Sequence, residues 1–398
     1  MIRGIKYVSL FGAIGQFTAA KRYVLGLENC GIPVTWTPMI WHTSPTSPLR
    51  PYEGTAVGDP DLDRFCNRSI DYDTVIVHTS PALFPYWAEH ETGRRIIGYV
   101  VWETDRLPRQ WPGLLSCLKR ILVPSRWNRD VCKTAGVTTP ISVVPHICDS
   151  SLRDGSVREN QSQEGPCSFY AIETWSARKA LDKCVQCYLE AFTSDESTVL
   201  VVKTGRHVYR QLVPARLAPF RRAYGHVRTF LGLPSWMSFQ TTPAARVNAI
   251  CRRAARPPLV RVITADLDEE GIRGLHREGD CYLSLTRAEA WGLGAFDAAA
   301  AGKPVIMTGF GGQLDFLPPD LAYLVNYRLV SVRDDHDLQN FRADQRWADA
   351  DPTHASKLLR YVFEHREEAR ARGEELGRYV RQTFSESRVI AEMLDAID

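Results

Sequence analysis

Glu289 and Asp297 stand eight positions apart in the stretch SLTRAEAWGLGAFDAAAAGKPVIMTGFGGQLDFL, with Gly292, Leu293 and Gly294 between them. The order of residue types predicts a strand end, a glycine-rich turn, an Ala-rich helix, a glycine stop and a further strand. Glycines in the turn let backbone N–H groups come close to a ligand, and the helix that follows directs its positive end the same way, which makes a cradle for an anion or a polyol. In an open parallel sheet, ligands sit outside the carboxyl ends of the strands, so Thr286 to Ala295 is expected to line a crevice. Were the whole stretch helical, the two carboxylates would lie about 12 Å apart at 1.5 Å per residue. A hydrolytic acid/base pair works at about 5–9.5 Å, so the spacing suits two ends of one long ligand better than glycoside hydrolysis. Lys203 ends the run Val199 to Lys203 and would point to the same crevice if that strand is parallel to its neighbours, a solvated strand end being the alternative.

With AAAAGKPV following it, the Glu289-to-Asp297 region resembles the E-x7-E region of retaining glycosyltransferases of family four. Those proteins have the GT-B fold, an α/β architecture of two Rossmann-like domains facing across a crevice. The resemblance implies that Glu289 and the amides of Gly292, Leu293 and Gly294 hold the hexose of a nucleotide-sugar donor. It places Asp297 on the nucleotide ribose, with a side chain one methylene shorter than the glutamate usual there. Arg178 and Lys179 resemble the family's diphosphate clamp, where two fixed cations neutralise charge growing on the leaving group; solvated surface charge is the other reading. The family often has a further arginine several residues earlier, where this chain has Glu173.

Gly12 and Gly15 follow the first strand as the family's glycine loop does, beside the donor phosphates. His78 and the segment Trp102 to Asp105 end strands and resemble acceptor-side positions, although a strand-end histidine also serves structural needs. Catalytic roles therefore fall on His78, Glu289, Arg178 and Lys179, and donor binding on Gly12, Gly15, Lys203, the glycine turn and Asp297. The reaction implied is retaining, metal-independent transfer of a hexosyl unit from a nucleotide-diphosphate sugar to a hydroxyl acceptor, the departing diphosphate oxygen taking the acceptor's proton. No cofactor is implied beyond the donor itself. A nucleotide-sugar epimerase of the same architecture and a catalytically silent partner subunit are the rival readings, the second kept open by Glu173 and Asp297. A dinucleotide dehydrogenase is disfavoured because no G-x-G-x-x-G follows the first strand.

The elements that must position these residues form two series. Strands are expected at Lys6 to Leu10, Val34 to Thr37, Thr74 to His78, Ile96 to Val101, Ile121 to Val123 and Ile141 to Val144. A second set is expected at Ser168 to Ile172, Val199 to Lys203, Leu259 to Thr264, Cys281 to Leu285, Pro304 to Met307 and Ala322 to Val325. Helical segments between strands are the mark of parallel sheets covered on both faces. The polar stretch Asp149 to Pro166 separates the series, giving an acceptor-side domain over 1–160 and a donor-side domain over 161–375. The amphipathic pattern from Ala355 to Ile397 ends in a helix over 376–398 that is expected to pack back on the first domain. An Arg-rich insert between Gly205 and Arg256, with Arg206, Arg210, Arg216, Arg221, Arg222 and Arg228, reads as a solvated face or as a contact for an acidic acceptor or membrane surface.

Composition narrows the partners. The 398 residues, 44% hydrophobic, suffice for two cores, and 49 basic against 46 acidic residues leave no field to recruit nucleic acid. No run reaches the ~18 apolar residues of a membrane span, so membrane contact is expected to be peripheral at most. Ten scattered cysteines form no disulfide or metal framework and fit a reduced cytoplasm, and Cys184 and Cys187 read as buried thiols inside a helix. The pairs Asp61/Asp63 and Asp71/Asp73 have D-x-D form but precede their elements rather than following a strand into a crevice, so no catalytic metal is expected.

Overall fold

The computed structural model describes residues 2–12, 15–41, 49–153, 165–206, 208, 242–333 and 340–398. Most of the connector, and Arg210, Arg216, Arg221, Arg222 and Arg228 of the insert, lie outside the described residues.

The first sheet is built from β1 (Ile5–Leu10), β2 (Val34–Trp41), β3 (Leu49–Pro51), β4 (Thr74–His78), β5 (Arg95–Tyr99), β6 (Arg120–Val123) and β7 (Ile141–Val143), in the order β3-β2-β1-β4-β5-β6-β7. Only the β2/β3 pair is antiparallel. The second contains β8 (Cys167–Ile172), β9 (Thr198–Lys203), β10 (Leu259–Ile263), β11 (Cys281–Ser284), β12 (Val305–Thr308) and β13 (Tyr323–Val325), all parallel, in the order β10-β9-β8-β11-β12-β13. Strands β4, β11 and β12 are buried along their whole length because helices cover both faces, which is why they read as continuous apolar runs. The fold is therefore two Rossmann-like α/β domains.

Three strands were not expected. Strand β3 is an edge of three residues ending in proline, and the antiparallel hairpin β14 (Tyr327–Ser331) with β15 (Arg346–Ala350) exposes most of its first strand. Neither β3 nor β14 buries a face, so neither imposes an apolar period on its sequence.

The C-terminal amphipathic pattern divides into three helices, Pro352–Glu364, Arg366–Thr383 and Glu386–Ile397, broken at His365 and at Phe384–Ser385. The second lies on helix Leu293–Ala300 through glycine: a Cβ on Gly373 would sit 2.5 Å from Pro304 N and 2.6 Å from Gly302 O. Phe384 then packs its ring against Trp291 and Phe296, and its carbonyl accepts the Cys148 N–H at 2.9 Å. Beyond this crossing, helix Glu386–Ile397 lies on helix Gly15–Asn29, where Gly26 gives room to Ile390. One apolar cluster consequently includes Tyr7 and Tyr23 of the first sheet's side together with Trp291, Phe296 and Phe384.

Gly373→Ala should destabilise the protein by about 1–3 kcal/mol, since the added methyl meets backbone that cannot rotate away. The change should appear as a lower urea midpoint with an unchanged slope.

Candidate functional site

Strand order reverses at β1/β4 in the first sheet and at β8/β11 in the second, and each reversal opens a crevice at the strands' carboxyl ends. From β8 the chain runs into Glu173 to Ala180, and from β11 into Leu285 to Gly292. The two turns clasp each other. The Arg287 N–H donates to the Arg178 carbonyl at 2.7 Å, and the Arg178 guanidinium donates to the Ala288 carbonyl at 2.7 Å. Ala180 closes the first turn at φ +51°, one of two described non-glycine residues in the left-handed region, and helix Leu181–Ala191 begins there.

Between the turns lies a largely buried cluster of charge. Glu289 Oε1 accepts from Lys179 Nζ at 2.5 Å, from Arg178 Nη1 at 3.0 Å and from Thr286 Oγ1 at 2.8 Å. Lys179 also pairs with Glu173 Oε2 at 3.0 Å, while Glu173 Oε1 accepts from Ser284 Oγ at 2.6 Å. Glu103 of the first domain approaches Arg178 at 3.7 Å. Burial opposes ionisation of Glu289, yet the adjacent Lys179 and Arg178 hold its carboxyl below the ordinary glutamate range. Glu173 goes the other way: burial, with Glu289 nearby, pushes its carboxyl up despite the pull of Lys179.

Helix Leu293–Ala300 starts from Gly292 at φ +96°, a conformation open to glycine at little cost. Gly294 has a packing role that the turn reading did not anticipate, because a Cβ there would collide with the Tyr282 hydroxyl and the Ile172 carbonyl. Across the crevice Gly15 opens helix Gly15–Asn29, and a Cβ on it would meet the Leu293 side chain at 3.3 Å, so the amino ends of the two helices converge. Gly12, at φ +143°, has open space around it.

Other expected site residues are placed differently. Asp297 is bound by both guanidinium nitrogens of Arg22 at 3.0 and 3.1 Å, and Arg22 also donates to the Ile147 carbonyl. Its carboxylate thus ties the domains together, and the Arg22 partner was missed because one arginine on an amphipathic helix has no distinguishing spacing. Lys203 turns its ammonium onto the Thr204 carbonyl at 3.0 Å. Partial burial lowers its pKa, with Asp266 opposing. His78 is fully buried rather than lining the crevice: Nδ1 lies 3.0 Å from the Tyr7 hydroxyl and the ring packs against Tyr99 at 4.3 Å. It lacks the exposed surface that contact with an acceptor hydroxyl needs.

The D-x-D pairs are engaged locally. Asp61 pairs with Lys21 at 2.7 Å, Asp63 accepts from the N–H groups of Val57 and Gly58, and Asp71 and Asp73 both pair with Arg3. Cys184 and Cys187 are buried, with Cys184 Sγ accepting the Leu285 N–H at 3.3 Å. In the described part of the insert, Arg206 pairs with Asp266.

No protein-family model matches the chain, and no curated protein matches it in sequence. Solved structures do match in three dimensions. HepE of Anabaena, in complex with UDP and glucose, superposes with a TM-score of 0.59 at 10% identity, covering 99% of this chain and 98% of that one. The sucrose-phosphate synthase of Thermosynechococcus elongatus gives 0.64 at 13% identity, covering 99% and 98%. The α,α-trehalose 6-phosphate synthase of Burkholderia multivorans gives 0.63 at 10% identity, covering 100% and 98%. At these identities the likeness establishes the fold, and the chain has the GT-B architecture of two Rossmann-like domains facing across a crevice.

Two measurements probe this arrangement. Arg22→Met strands the Asp297 carboxylate and should cost roughly 3 kcal/mol, whereas Arg22→Met with Asp297→Leu should recover most of that loss in a double-mutant cycle. Acid stability should follow the buried histidines, since burial depresses His78 to about 3, His276 to about 4 and His146 well below its ordinary value. The unfolded chain binds the extra protons, so their contribution is complete above about pH 6.5 and is lost as pH falls toward the folded values. Each neutral histidine should then cost about 2 kcal/mol at pH 5 relative to pH 7. His78→Gln should reduce the pH 7-to-5 difference in unfolding free energy by about that amount.

Proposed function

We propose that this chain is a retaining, metal-independent glycosyltransferase that moves a hexosyl unit from a nucleotide-diphosphate sugar to a hydroxyl acceptor. The observation carrying this reading is the Arg178–Lys179–Glu289 cluster at the β8/β11 reversal, facing the amino end of helix Leu293–Ala300. Arg178 and Lys179 are the cations that would receive the donor diphosphate and stabilise the charge that grows as it leaves. Glu289, held ionised by the same cations, accepts hydrogen bonds from sugar hydroxyls, and the amides from Gly292 to Gly294 complete the cradle. The GT-B fold, and the UDP and glucose bound by HepE, support a nucleotide-sugar donor.

In this mechanism the acceptor hydroxyl enters on the face from which the diphosphate departs. Its oxygen forms the new bond to the anomeric carbon as the bond to the diphosphate breaks, and the released diphosphate oxygen takes the hydroxyl proton. The protein holds both substrates and supplies preorganised charge, with no nucleophile of its own. His78 acts from within the core by supporting the carboxyl end of β4, and Asp297 acts through the Arg22 bridge. The free thiols suit a reducing, cytoplasmic compartment. The second reading, a silent partner subunit, draws on Glu173, which already engages the ammonium the donor would need.

UDP, GDP or ADP should raise the melting temperature, a hundredfold excess over Kd contributing about 2.7 kcal/mol. Lys179→Ala and Glu289→Ala should remove the shift. Slow release of free sugar from the matching nucleotide sugar would distinguish the enzyme from the silent subunit. No stabilisation by any of the three at millimolar concentration would reject the donor site.

A further inference from the structure

Resting on the donor-site reading above, we propose that Glu173 couples nucleotide binding to proton uptake: as a nucleoside diphosphate takes Lys179, Glu173 accepts one proton from solvent. Glu173 is then a positioning residue, acting on the diphosphate through Lys179.

The geometry carries the argument. The cluster holds three carboxylates, Glu103, Glu173 and Glu289, around two cations, Arg178 and Lys179. Glu173 and Glu289 alone already set two negative charges against the two cations before any anionic ligand arrives. A diphosphate adds at least two more in a place with little water to screen them, and the cheapest relief is protonation of one carboxylate. The three are not equal. Glu289 has both cations and the Thr286 hydroxyl, and Glu103 is the most exposed. Glu173, with its side chain 4% exposed, has a single cationic partner.

The groups facing Glu173 favour the same outcome. The Arg178 and Lys179 charges come from its own turn, and Glu289 repels it from the turn after β11. Tyr282 and Ser284 face it from β11, and Cys184 from helix Leu181–Ala191. When phosphate oxygens draw the Lys179 ammonium away, the remaining close partner is the Ser284 hydroxyl. A hydroxyl can donate to a carboxylate or rotate to accept from a carboxylic acid, so Ser284 serves the protonated form as well.

The sign is fixed by linkage. If the nucleotide-bound protein has the higher Glu173 pKa, then between the free and bound values Kd rises with pH by up to about tenfold per unit, and outside that window it is flat. Titration calorimetry of the full chain with UDP, and in parallel with GDP and ADP, over roughly pH 6 to 8.5 in two buffers of different ionisation enthalpy counts the protons taken up. Glu173→Gln retains the shape and the Ser284 contact but cannot titrate. We expect the wild type to take up about one proton more per nucleotide than Glu173→Gln, and the variant to bind more tightly at the alkaline end. Binding by Glu173→Gln alone would support the proposal in a stronger form. Equal proton uptake in both proteins, or none in the wild type, would overturn it and leave the transferase reading standing. If neither protein binds any of the three nucleotides, the donor site itself is rejected and the coupling with it.

Discussion

A lysine and an arginine taken out of water persist as cations only if carboxylates come with them, and this requirement organises the crevice. Arg178 and Lys179 sit on the turn after β8, and their main counter-charge, Glu289, sits on the turn after β11. Neither turn satisfies its charges alone. Hydrogen bonds from the Arg287 N–H and the Thr286 hydroxyl to the Arg178 carbonyl, and from the Arg178 guanidinium to the Ala288 carbonyl, fix their separation, so the ion pairs form at short range without searching for geometry. Such a network adds little net stability, because desolvation offsets attraction, but removing one member leaves an uncompensated buried charge. The arrangement therefore defines position more than it adds stability.

The same logic extends across the crevice. Asp297, on helix Leu293–Ala300, meets Arg22 on helix Gly15–Asn29, so the helix following the glycine turn is tied to the helix following the first strand. Phe384 joins Trp291 and Phe296 nearby, and the last helix continues onto the first domain. A polar bridge and an aromatic crossing thus hold the amino ends of two helices close to one another. An arrangement assembled this way is sensitive to the domain interface, since moving either helix displaces the backbone amides at its amino end.

Beneath the first domain's half of the crevice, Tyr7, Tyr23, Tyr99, His78 and His146 form a buried polar and aromatic group. His146 packs edge-on against Trp291 of the glycine-turn segment, so this group contacts the second domain as well. Its histidines are kept neutral by burial, which makes the fold acid-sensitive.

The amino-acid sequence by itself determined the two sheets. Apolar runs such as TVIVH at 74–78 and VIMT at 305–308, separated by helical segments, could bury both faces only as parallel strands, so their positions were readable. Strands β3 and β14 were not readable, because elements that leave their faces in solvent impose no pattern. Around Glu289, residue type and order brought out the glycine turn, whereas Arg178 and Lys179 stood out only through the family resemblance, which placed them after the first strand of the second series. What those residues touch was decided by tertiary structure alone. Asp297 binds Arg22, 275 positions away, Ser284 reaches Glu173 across 111, and His78 disappears beneath three tyrosines. Partnerships at that separation depend on how two sheets and a returning C-terminal helix pack together, and no local periodicity encodes them.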